Sequence, residues 1–131
     1  MVNNIKKFLI IGSFILFAPT VKALTVQKID NFDYVNDIDG YSGTGQQIGD
    51  FYYYNDNQGN SYTTQSVGGF DYTNGSNGYS SVGQQVGDFY YNNNNLGDSY
   101  TTQSVGSFDY VTGSNGYSAT GQQIGNFYYY N

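Results

Sequence analysis

The chain has 131 residues, four Lys, ten Asp and no Glu, Arg, His, Cys or Trp, and carries a formal charge of −6. So acidic a chain is a poor match for nucleic acid or an anionic membrane, because phosphate recognition needs Lys and Arg. Without Cys no disulfide staples the fold, and without His, Cys or Glu the usual general bases and nucleophiles are missing.

The stretch from Met1 to Ala23 reads as a targeting segment. A polar start with Lys6 and Lys7 precedes an apolar run from Phe8 to Ala18, and Val21-Lys22-Ala23 is a small-x-small cleavage site. The run is short for a bilayer span, so a signal peptide over 1–23 is expected rather than an anchor, with no membrane association after cleavage. The rest of the chain, from Leu24 to Asn131, sets Lys28 alone against all ten Asp, a charge of −9. Export to the cell surface or beyond is the expected destination, with the periplasm also open.

Residues 24–131 are internally repetitive throughout. The obvious period is 38: residues 61–68 (SYTTQSVG) return as 99–106, and 46–55 (QQIGDFYYYN) return as 84–93 (QQVGDFYYNN). Half that distance also aligns, giving six 19-residue units at 24–42, 43–61, 62–80, 81–99, 100–118 and 119–131, the last one partial. Gln fills 27, 46, 65, 84, 103 and 122 (Gln27, Gln46, Gln65, Gln84, Gln103, Gln122), and the aliphatic column is Ile29, Ile48, Val67, Val86, Val105 and Ile124. Phe32, Phe51, Phe70, Phe89, Phe108 and Phe127 form a third column, and Tyr34, Tyr53, Tyr72, Tyr91, Tyr110 and Tyr129 a fourth.

Alternation within each pair of columns, with β-branched and aromatic residues, predicts strands. The step of three from Val67 to Phe70 across Gly predicts a bend or bulge that returns both pairs to one face. Segments such as 73–78 (TNGSNG) are loop chemistry. The fold is expected to be all-β, a single repeat domain, and two architectures fit. In a β-solenoid each unit is one coil, and the four columns stack as the core ladder. In an antiparallel β-meander of hairpin pairs, each 19-residue unit is one long strand plus a turn. The column Asp33, Tyr52, Asp71, Tyr90, Asp109, Tyr128 keeps like charges apart in a stack, which favours the solenoid.

Candidate chemistry is sparse. No Ser or Thr has a base beside it, so no enzyme is expected and no cofactor is implied. Loops at 36–40 (NDIDG) and 55–59 (NDNQG) resemble calcium loops, but equivalent loops elsewhere lack acids, so no repeat-wide metal site is expected; a single calcium site near Asp37 and Asp39 stays open. The Thr column (Thr25, Thr44, Thr63, Thr101, Thr120) raises ice binding. A Tyr-rich face containing Tyr52, Tyr54, Tyr90, Tyr128 and Tyr130 suits stacking on sugars or self-association.

Short Gly-, Asn- and Gln-rich β-repeats in an exported chain resemble those of the curli major subunit, with Ser42, Gln46 and Gly49 in the places of the family's Ser, Gln and Gly. Phe51 and Tyr53 stand where the family continues differently, and its closing Gln is absent here. The Q-x-[IV]-G-x-F-x-Y string is more similar to repeats in small exported bacterial proteins of no assigned function. The resemblance implies a structural protein that assembles head to tail with itself into fibres of a biofilm matrix or cell surface, served by an export or nucleator protein. A monomeric adhesin or glycan-binding module and an ice-binding solenoid are the alternatives.

Overall fold

The computed structural model describes residues 24–131; the predicted signal peptide lies outside the described residues. Twelve strands follow in order: β1 (Leu24–Ile29), β2 (Phe32–Asp37), β3 (Ser42–Ile48), β4 (Phe51–Asp56), β5 (Ser61–Val67), β6 (Phe70–Gly75), β7 (Ser80–Val86), β8 (Phe89–Asn94), β9 (Ser99–Val105), β10 (Phe108–Gly113), β11 (Ser118–Ile124) and β12 (Phe127–Tyr130). Each pairs antiparallel with its sequence neighbours, and β1 closes on β12, so the sheet is a barrel without a free edge. The solenoid expectation is therefore corrected. The meander is right in its antiparallel order but not in its unit: one repeat unit makes a complete hairpin rather than one strand.

The reason lies at the Gly-x dipeptide. Ile48 pairs with Phe51 across a two-residue connection in which Gly49 has φ +60°. A positive φ at the first turn position is the hairpin geometry whose twist matches the flanking strands. The chain reverses there instead of bulging. In β1–β2, Asp30 takes the same left-handed conformation at φ 55° without being glycine. At the opposite rim, four-residue loops join successive hairpins, for example between Asp56 and Ser61.

Register fixes the shape. Phe51 lies opposite Gln65, and Gln65 opposite Tyr72, so each hairpin climbs two residues. Six hairpins give a stagger of twelve residues for twelve strands, consistent with strands tilted by about 35–45° to the barrel axis.

Side chains alternate between the two faces. The interior receives Val26, Val35, Val111, Tyr52, Tyr54, Tyr62, Tyr90, Tyr100, Tyr128 and Tyr130, all buried, together with the carboxylates of Asp33, Asp71 and Asp109. The four repeat columns fall on the outside. Ile48 is 55 % exposed, Phe89 36 % and Tyr110 46 %, and Gln46 lies on the same outer face between Phe32 of β2 and Tyr53 of β4. The expected core ladder of Gln, Ile/Val, Phe and Tyr is thus an outer girdle. The tyrosines expected as an exposed face (Tyr52, Tyr54, Tyr90, Tyr128, Tyr130) line the core. Twelve strands enclose more space than aliphatic side chains fill, and tyrosines reaching across it occupy the volume.

Candidate functional site: three internal struts and two outer grooves

The interior follows the longer of the two sequence periods, which makes three four-strand modules. Tyr52 of β4 crosses β3 and donates its hydroxyl to Asp33 of β2 at 3.0 Å. Tyr90 donates likewise to Asp71 at 2.9 Å, and Tyr128 to Asp109 at 2.6 Å. The crossing requires glycine on the strand between: a Cβ at Gly45 would lie 1.9 Å from the Tyr52 hydroxyl oxygen, with the same distance at Gly83 from Tyr90 and at Gly121 from Tyr128. Ser66 and Ser104 donate to the second oxygen of Asp71 and Asp109, while Lys28 stands 3.7 Å from Asp33. The Asp/Tyr alternation that the sequence displays thus records hydrogen bonds across the barrel rather than avoided repulsion in a stack.

These groups are structural. Burial pushes the Asp33 carboxyl above the usual carboxylate range, against the opposing pull of Lys28, and pushes the Tyr52 hydroxyl well above a normal phenol. Tyr41, hydrogen-bonded to Tyr54 at 3.0 Å, is raised by burial to about 12.

The outer face is different. Six Phe–Tyr pairs, one on each even-numbered strand, stand with ring centroids 6.1–6.4 Å apart. Beside two of them, near the loop rim, lies a polar groove. The first, of about 300 Å³, runs over β3 (Ser42, Gly43, Thr44) between Tyr34 and Asn36 on one side and Asn55, Asp56 and Asn57 on the other. The second, of about 320 Å³, runs over β7 (Ser80, Ser81, Val82) between Tyr72 and Asn74 and the run Asn93, Asn94 and Asn95. Every lining position of the first recurs one long period later in the second.

Both grooves are preorganised. Ser61 donates to Asn55 Oδ1 and Ser99 to Asn93 Oδ1, each at 2.7 Å, so each Asn Nδ2 is left to donate outward. Asn57 clamps the neighbouring loop by donating to the Gly40 carbonyl at 2.8 Å, as Asn95 does to Gly78 at 2.9 Å. An exposed phenol ring beside fixed amides and hydroxyls is the chemistry that holds a sugar: the ring takes a C–H face, and the amides pair with hydroxyls.

The remaining sequence candidates fall elsewhere. Asp37 Oδ1 accepts from the backbone N–H of Asp39 at 2.8 Å and of Tyr41 at 2.7 Å. Asn94 makes the same turn with its amide oxygen, so a carboxylate here is turn chemistry; no three acids converge among the described residues. The threonines alternate with other residues around a closed cylinder instead of ranking on one flat face. The grooves were missed by sequence reading, although the exact recurrence of Asn and Ser at the longer period carried their signal.

Comparison with protein families, curated proteins and solved structures finds no match to this chain.

Proposed function

We propose that the protein is an exported adhesin-like module that binds neutral glycans through the grooves over β3 and β7. The observation that carries this reading is the repetition, one long period apart, of an exposed tyrosine beside a serine-oriented asparagine. Charge narrows the ligand. Lys28 is the sole cation of residues 24–131 and faces Asp33, so nothing pairs with a sialate, uronate or phosphate. The strands are four to seven residues long, short of the roughly 9–11 that cross a bilayer, and Gln, Thr and Asn interrupt the Ile/Val, Phe and Tyr girdle on their outer faces. The glycan is therefore met in water. The test is affinity electrophoresis through gels containing mannan, β-glucan or hyaluronate. Retardation by a neutral polymer that is lost in the Tyr34→Ala/Tyr72→Ala double variant supports the reading; retardation by hyaluronate alone, or by none, refutes it.

A second reading, assembly into curli-like matrix fibres, draws on the seam. β1 and β12 share four paired residues, from Leu24 with Tyr130 to Gln27 with Phe127, where most neighbouring strands share five or six. Opening that seam frees two edges that fit each other, so β12 of one copy can pair with β1 of the next. Time-resolved sedimentation separates the readings, because glycan binding needs only the monomer.

A further inference from the structure

We infer that the barrel is a bridge: its two grooves hold two different glycan chains at once and cross-link them. The inference rests on the glycan-binding reading and adds an arrangement to it. The groove floors, β3 and β7, are four strands apart in a closed ring of twelve. That is a third of the circumference, so the grooves face outward about 120° apart. No single flat surface meets both.

Rigidity prevents them from turning toward each other. The sheet is closed, and the rim loops beside the grooves are pinned to their neighbours by Asn57 and Asn95. A short glycan cannot reach around the barrel wall from one groove to the other. A long polymer or a coated surface engages one groove and leaves the second for another chain, which is the geometry of a cross-linker rather than of avidity on one ligand. The grooves also differ in two floor residues: the second has the buried Ser81 where the first has Gly43, and on the outer face the first has Thr44 where the second has Val82. The first offers a hydroxyl where the second offers methyl groups, so the two chains held need not be identical.

The experiment uses the protein with beads coated in mannan or in β-glucan. Bead binding is read by depletion of protein from solution, and cross-linking by bead turbidity and settling. The native protein is expected to deplete and to clump one of the two bead types. Tyr34→Ala and Tyr72→Ala, each singly, are expected to keep depletion within about threefold while losing at least about tenfold in clumping. Both tyrosines are roughly two-fifths exposed, so the variants are expected to fold, which circular dichroism verifies. Depletion without clumping by the native protein overturns the bridge and leaves glycan binding standing. Clumping by a single variant at the native level overturns it too, since one groove or self-association would then suffice. Absence of depletion on both bead types overturns the bridge and the glycan reading together.

Discussion

Tyr52 reaches across a whole strand to donate a hydrogen bond to Asp33, one repeat unit earlier in the chain and two strands away, and Gly45 beneath it is what lets the ring pass. This relationship occurs three times and sets the four-strand module. It ties the variable positions of the repeat to the core and frees the invariant positions for the surface.

The first expectation concerns that crossing. Gly45→Ala puts a methyl 1.9 Å from the Tyr52 hydroxyl oxygen, and the ring is held by Asp33. Denaturant unfolding is expected to show a loss of about 1–3 kcal/mol, the usual range for overpacking. Gly59→Ser, at an open loop position, is not an informative control because its φ is +86°. Gln58→Ser is a better one, since Gln58 is exposed and takes part in the loop through its backbone N–H.

Pairing inside the barrel is testable by a double-mutant cycle. Tyr90→Phe removes the donor to Asp71 and strands a buried carboxylate oxygen, so a cost of about 1–3 kcal/mol is expected. Asp71→Asn in the same chain should couple to it, whereas Asp109→Asn in the neighbouring module should be additive.

Stability should depend on pH at both ends. Burial raises the Asp33 pKa above its ordinary value of 3.8, so the folded state prefers the protonated form. That contribution is full below the unfolded pKa and is lost as pH rises through the higher folded value. Asp33→Asn should flatten the acid limb of a stability-versus-pH curve. Tyr41 is raised from 10.0 to about 12, again favouring its neutral form when folded. Its contribution is intact below pH 10 and disappears as pH climbs through about 12, so β-sheet circular dichroism and tyrosinate absorbance should change together there.

Inside and outside can be told apart with two valines. Val111 is 1 % exposed and Val105 is 53 % exposed. Val111→Ala should cost about 1.5–2 kcal/mol through lost burial, and Val105→Ala less than about 0.5 kcal/mol. Equal losses, or the reverse order, would place the repeat columns in the core after all.

That reversal is also where sequence reading stopped. The strands, the turns and the repeat were legible because alternation, Gly-x dipeptides and spacing are local signals. Alternation shows that Ile48 and Gln46 share a face; it does not show which face is enclosed. Apolar columns suggested the inside, but a twelve-strand ring has an interior that Tyr54 and Tyr52 fill better than Ile48, and closure of β1 on β12 is a property of the whole chain. The Asp33/Tyr52 alternation and the Gly45, Gly83, Gly121 spacing were both visible in the letters. Their meaning needed two strands on either side of a third. The grooves were hidden for a related reason: Asn55 and Ser61 read as loop residues until the register placed them side by side.

The most direct test of the account is a chemical-shift titration of the labelled protein with mannan or β-glucan oligosaccharides. The expected perturbations centre on Asn36, Thr44 and Asn55 and on their counterparts Asn74, Val82 and Asn93, with Tyr34 and Tyr72 ring signals moving alongside. Perturbations confined to the short-turn rim, or no response to either neutral glycan while hyaluronate shifts the same residues, would contradict it.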